Sequence, residues 1–344
     1  MVDLDTYLKH HPDALPRHEE RRDNANEKLF ERRPFPSTST KIPGFSLNPA
    51  DIFQTYPQPS GKKISDSQAM ITTPYVYGFA FMRKIWGEFS VDDVEDIDWD
   101  QSCFEKLALQ SDIKDILQRL VHLHEDSRRG FEDIVSRKGV GRAILLHGPP
   151  GSGKTLTAET IAERVQKPLY CVTSGELGTD VTKAEKNLEQ IFELAQTWKA
   201  VLLIDEADVF LAKRTGMEME RNAFVSIFLR KLEYYQGIMI LTTNRHEDFD
   251  EAFESRIHLA IHYDIPDTQQ RIIIWRNLLN KFQNQYFDDE MIRRLAERYE
   301  TNGRAINNLF STALALVGSG AAVKEEDIER LYNMQWAKRR TLPT

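Results

Sequence analysis

Cysteine is almost missing from this chain. Cys103 and Cys171 are the two in 344 residues, far apart and without CxxC or Cys/His spacing. That excludes a disulfide scaffold and a thiolate zinc site, and it fits a reducing compartment. Long hydrophobic runs are missing too. The least polar stretch, 313–323, is rich in Gly and Ser and falls well short of the ~20 apolar residues a membrane-spanning helix needs. The opening MVDLDTYLKHHPDALPRHEE has no apolar stretch and carries several acids, so it does not read as a secretory signal or transit peptide. The expected location is intracellular, cytoplasmic or nuclear, with no membrane contact. Basic excess is also lacking, since 45 Lys and Arg face 53 Asp and Glu for a net charge of -8. Non-specific nucleic-acid binding rests on phosphate neutralisation by Lys and Arg. The charge balance therefore argues against a nucleic-acid coat, while leaving basic residues enough for a local face.

What is present is an ordinary globular composition, 41% hydrophobic and 28% charged. Residues 1–74 alternate charged clusters with Pro, Ser and Thr and sustain no period, which reads as a disordered linker or as the remnant of an upstream domain. A docking segment using Phe35, Phe45 and Phe53 is the other reading. Order is expected from Tyr75, where YVYGFAFMRKIWGEFSV is aromatic and β-branched and predicts one or two strands. A helical stripe follows at Ile113, Ile116, Leu117, Leu120 and Leu123, with Ser111 as N-cap. Residues 75–140 thus form a strand and helix leading into a core at 141–265. There, apolar strands at 142–147, 168–173, 200–205, 237–242 and 259–264 alternate with helices at 154–166, 182–198 and 219–235. Continuous apolar strands separated by amphipathic helices predict an α/β fold, a parallel five-stranded sheet covered on both faces. From 266 to 344 the pattern is helical throughout, a small all-α lid.

The chemistry sits in the core. Gly148, Pro149, Pro150, Gly151, Ser152, Gly153, Lys154 and Thr155 complete G-x-x-x-x-G-K-T between a strand and a helix. The glycines let the backbone curl round phosphate oxygens with no Cβ in the way. Lys154 neutralises the outer phosphates of a bound ATP, and the Thr155 hydroxyl ligates Mg2+. Next, VLLIDEAD ends a buried strand on acids. Asp205 at the carboxyl edge can hold Mg2+ through water, and Glu206 can take a proton from the attacking water. Thr242-Thr243-Asn244 ends another buried strand; alone it is a turn, and beside a P-loop Asn244 can orient water or touch the γ-phosphate. Arg256 precedes a strand and reads either as a sheet-edge residue or as an arginine finger reaching a neighbouring subunit's ATP. Arg304 reads either as a helix-start salt-bridge partner or as a lid arginine on the γ-phosphate.

Together HGPPGSGKTLTAE, VLLIDEADVFL, TTNR and Arg256 resemble the AAA ATPases over roughly residues 100–340. LEYYQGIMILTTNR and FDEAFESRIHLAIHY are most similar to the AAA modules of large filamentous-fungal ATPases. The resemblance implies Walker A at 148–155 and Walker B at Asp205 and Glu206. It implies sensor 1 at Asn244, the arginine finger at Arg256 and sensor 2 at Arg304. It also implies a homo-hexameric ring, a helical lid, an adenine cradle near Leu107–Leu109, and Mg-dependent ATP hydrolysis that remodels a protein client. A nucleotide-gated assembly scaffold with low turnover is the alternative. Two departures stand out. No aromatic lies between Gly175 and Lys186, where many AAA unfoldases carry a pore loop, so peptide threading through Leu177 and its neighbours is not expected. Many relatives have two arginines near the finger, whereas here Ser255 precedes a single Arg256.

Overall fold

The computed structural model describes residues 1–11, 74–125, 141–177, 181–208, 219–245, 249, 251–284, 286–318 and 322–336. It divides into two compact units, 1–96 and 97–344. In the first, helix α1 (Leu4–His10) accompanies an antiparallel hairpin of β1 (Tyr75–Ala80) and β2 (Ile85–Ser90). Val2 bridges Gly78 in antiparallel fashion, and Tyr7 stacks on Tyr77 with ring centroids 4.4 Å apart. Residues 1–11, part of the segment read as a disordered linker or the remnant of an upstream domain, thus carry a helix and are packed. Their order comes from aromatic contacts with strands more than sixty residues away in sequence, which no local period reveals. Residues 12–73, with Phe35, Phe45 and Phe53, lie outside the described residues. The hairpin also belongs with the N-terminal unit rather than with the lead-in to the core.

The second unit begins with α2 (Ser111–Glu125) and continues as the expected alternation. Its elements are β3 (Arg142–His147), α3 (Lys154–Arg164), β4 (Leu169–Thr173), α4 (Val181–Thr197), β5 (Val201–Asp205), α5 (Met219–Tyr234) and β6 (Ile238–Thr243). The short α6 (Glu251–Glu254) and β7 (Leu259–His262) complete the core. The sheet is parallel throughout, in the order β4-β5-β6-β3-β7. β6 is buried at every position and β5 at all but its last, which is why both read as unbroken apolar runs rather than alternating ones. The sheet face packs Ile144, Leu146, Leu203 and Ile240 against Ile161 of α3 and Leu117 of α2.

Four helices follow: α7 (Thr268–Lys281), α8 (Asp289–Arg298), α9 (Gly303–Val317) and α10 (Glu325–Trp336). They form the expected all-α lid around their own core of Trp275, Leu295, Tyr299, Ile306, Phe310 and Ile328. α7 opens on a capping box in which Asp267 accepts from the Gln270 backbone N–H at 2.8 Å and the Gln270 side chain accepts from the Asp267 N–H at 2.9 Å. Among the described residues, no helix is long and apolar enough to cross a membrane.

Candidate active site

β3 delivers its C-terminal end into the Gly-rich loop, and α3 starts where the loop ends. The three glycines turn out to serve three needs. A Cβ on Gly148 would stand 2.0 Å from the Tyr263 carbonyl oxygen, so that glycine lets the loop pass the strand-end beside it. A Cβ on Gly151 would come within 2.9 Å of the Asn302 side chain in the lid. Only Gly153, at φ +103°, has open space around the missing Cβ. All three adopt positive φ, the conformation glycine takes without strain; Gly148 in addition packs against the strand end and Gly151 against the lid, while the space beside Gly153 is open. Gly153 is also the N-cap of α3 and supplies no side-chain cap, a helix start suited to an anion.

Lys154 is buried and gathers the loop around itself. Its Nζ donates to the carbonyl oxygens of Gly148 and Pro149 at 2.8 Å each and to Asn244 Oδ1 at 3.0 Å. Ser152 Oγ donates to the same Pro149 carbonyl at 2.8 Å. Burial lowers the lysine's pKa below its ordinary value, with Asp205 opposing and the Arg304 charge adding to the shift. Burial likewise raises the carboxyl of Glu159, one turn along α3 from Thr155, and Asp205 pushes it the same way.

Because β5 lies beside β6 in the sheet, the acids of one strand meet the hydroxyls of the other. Asp205 accepts from Thr155 Oγ1 at 3.3 Å and 3.4 Å to its two oxygens, and from Thr242 Oγ1. Thr242 Oγ1 also accepts from the Glu206 backbone N–H at 3.1 Å. Thr243 repeats the device, donating to Asp208 and accepting from the Arg245 N–H. Glu206 itself adopts φ +55°, a left-handed conformation that costs a non-glycine residue on the order of 1 kcal/mol. The Ala207 N–H bond to the Thr242 carbonyl, 2.8 Å, holds the chain in that turn. In sequence, Thr242 and Thr243 show only as the polar end of a strand at a turn. The signal that identifies them is register: two parallel neighbouring strands that both end on polar residues.

Among the described residues, no three His, Cys, Asp or Glu side chains converge to hold a metal unaided. Thr155 and Asp205 offer one hydroxyl and one carboxylate. This donor set suits Mg2+, which keeps most of its waters and takes phosphate oxygens for the rest. The residues present therefore fit a nucleotide with its metal.

The lid closes over the loop from α9. Asn302 caps α9 by accepting from the Ala305 N–H at 2.8 Å, and its Nδ2 donates to the Pro150 carbonyl at 3.1 Å. Arg304, two residues on, lies near enough for its charge to act on Lys154. Asn277 of α7 donates to the Lys106 carbonyl, tying the lid to the segment that carries Leu107–Leu109.

Arg256 stands apart. It precedes β7, whose entry is fixed by the His258 N–H bond to the Ala143 carbonyl at 2.9 Å, so it lies at the amino edge of the sheet. β3, six residues long, separates that edge from the P-loop by roughly 15–20 Å at about 3.3 Å per residue. Lys154, Thr155, Asp205, Glu206, Asn244 and Arg304 are brought to one edge, and Arg256 is not among them. Leu177, in the segment where a pore loop would lie, is fully buried and belongs to the core.

Residues 144–265 match the profile of the family described as "ATPase family associated with various cellular activities (AAA)". The chain carries an AAA ATPase domain. Human ATPase family AAA domain-containing protein 3B is 34% identical over 140 residues, covering 39% of this chain and 22% of the relative. ATPase family AAA domain-containing protein 3-A of Xenopus laevis is 30% identical over 186 residues, 51% of this chain and 31% of the relative. Spastin of Drosophila melanogaster is 28% identical over 235 residues, 65% of this chain and 30% of the relative. The matched stretch thus spans less than a third of each relative's length. The five-stranded parallel sheet with its helical lid is the fold this family match implies.

Proposed function

We propose that this AAA domain hydrolyses ATP with Mg2+ in a homo-hexameric ring and that the cycle remodels a protein client. The observation that carries this reading is the split between the two sheet edges. A phosphate-and-metal site gathers at the carboxyl edge, and an arginine waits at the amino edge. In a ring, one subunit's amino edge can face the next subunit's nucleotide.

In this reading Lys154 exchanges its bonds to the Gly148 and Pro149 carbonyls for phosphate oxygens. Thr155 and Asp205 would hold Mg2+, which would supply positive charge to the phosphates as charge develops on them. Glu206 takes the proton from the attacking water while Thr242 fixes its backbone. Asn244 orients that water, and Arg304 closes in from the lid. Arg256 reaches the neighbour's γ-phosphate and stabilises its transition-state charge, a role worth roughly 10³ to 10⁵ in rate in other P-loop enzymes. Kinship with the fungal AAA modules, and an intracellular site of action, rest on sequence pattern alone.

The test is Glu206→Gln, which keeps shape and removes the base. Fluorescent ATP should bind as in wild type, while turnover should fall at least about a hundredfold. Unchanged turnover would assign the base elsewhere. Negligible turnover already in the wild type would favour the assembly scaffold.

A further inference from the structure

The finger's own surroundings hold a residue that the sequence pattern does not single out. Arg256 Nε donates to Glu233 Oε1 at 2.9 Å, and its Nη2 donates to the same oxygen. Its Nη1 is engaged by the Ala252 carbonyl and by Ser255 Oγ, the latter at 3.2 Å. A guanidinium has five N–H donors, and these four bonds leave one outside them. The side chains of the pair are only 27% and 23% exposed, so water screens them less than an open surface pair. Both line a cavity of about 190 Å³ at the amino edge, together with Arg142, Tyr235 and His258.

Glu233 comes from the last turn of α5, which packs against the sheet from the neighbouring layer, so the carboxylate is fixed independently of the finger's own turn. An arriving triphosphate is itself strongly anionic. It competes with the carboxylate for the same N–H groups and is repelled by it as long as the carboxylate stays close.

We propose that Glu233 is a latch on Arg256: it stows the finger against its own chain, and trans engagement requires exchange of the carboxylate for the neighbour's γ-phosphate oxygens. This rests on the trans role of Arg256 given above and adds the regulation of that site. The fraction of fingers released sets the apparent affinity of one subunit for the next, because an interface that needs a minor state is weakened by that state's population. The isolated chain is thereby kept from productive contact until nucleotide occupies the adjoining subunit.

The experiment measures ATP turnover with Mg2+ against protein concentration for wild type, Glu233→Gln, Arg256→Ala and the double variant. Glu233→Gln keeps size and removes charge. It should lower the protein concentration for half-maximal turnover by roughly three- to tenfold, the scale of a charge-assisted pair discounted for partial exposure. The rate at saturating protein should be at least that of wild type. In the Arg256→Ala background the same substitution should gain nothing. Glu233→Asp, which keeps the charge but shortens its reach, should shift the curve in the same direction by less, and it serves if the Gln variant folds poorly. Reduced turnover of Glu233→Gln at saturating protein would show that the carboxylate positions the finger for reaction, and an unshifted curve would show the pair inert. Either overturns the latch while leaving the finger's role standing. Wild-type turnover by Arg256→Ala would instead overturn the trans reading itself, and with it the latch.

Discussion

Thr242→Val probes the joint between Walker B and the strand beside it. Thr242 is 1% exposed and its hydroxyl makes two bonds, donating to Asp205 and accepting from the Glu206 N–H. Valine has the same shape without the hydroxyl. The loss of a hydrogen bond to a charged acceptor costs about 1.5–3 kcal/mol, and a half-buried N–H left without its partner adds about 1 kcal/mol. A total of roughly 2.5–4 kcal/mol in a unit of this size should lower the melting temperature by roughly 5–16 °C. A second consequence is chemical. Asp205 loses one of its hydroxyl partners and keeps Thr155, so its orientation loosens and the Mg2+ concentration for half-maximal turnover should rise. Thr242→Ser, which keeps the hydroxyl, should recover most of both effects. Calorimetry and a Mg2+ titration of turnover are the assays. A valine variant melting within about 1 °C of wild type, with an unchanged Mg2+ requirement, would refute the reasoning.

Leu177→Ala should act on stability rather than on any client, because the side chain is fully buried. A loss of about 2–5 kcal/mol is expected for such a truncation, read by chemical denaturation, and full stability would contradict the packing. His258 accepts from the Ala143 N–H through Nδ1 at 3.1 Å, and burial, then the Arg142 charge, lower its pKa below 6.5. The unfolded chain then binds the extra proton more readily, so this histidine's share of stability is present above about pH 6.5 and is lost as pH falls toward the lowered value. His258→Asn keeps an acceptor and does not titrate, so the drop in melting temperature between about pH 7.5 and about pH 5.5 should shrink; an equal drop would assign the acid sensitivity to other groups.

Much of this architecture is written in local pattern. β5 and β6 are buried on both faces, so each is a continuous apolar run between amphipathic helices and is legible without any tertiary knowledge. The P-loop is legible for the same reason, since its chemistry is confined to eight consecutive residues. What escapes is whatever depends on contacts distant in sequence. α1 owes its order to Tyr77 and Trp86 across a long intervening segment. The positive φ at Gly148 and Gly151 belongs to the loop, but the close approach of Tyr263 and Asn302 to them is visible only in the fold. Thr242 and Glu233 become meaningful only once strand order puts β5 beside β6 and α5 beside the turn of Arg256. The burial of Leu177 is likewise set by the fold, since the segment after β4 forms a short 3₁₀ helix that places it in the core.

The central claim is that the site is completed across an interface between copies of this chain. Mixing two disabled variants tests it most directly. Arg256→Ala retains an intact P-loop and lacks the finger; Lys154→Ala retains the finger and cannot hold nucleotide. Each alone should show almost no turnover. In rings assembled at random from equal amounts, roughly a quarter of the interfaces, one half times one half, pair an intact P-loop with an intact finger. Turnover should therefore recover to about that fraction of the wild-type rate. No recovery on mixing, together with wild-type turnover by Arg256→Ala alone, would mean that one chain holds the whole site and would contradict the account.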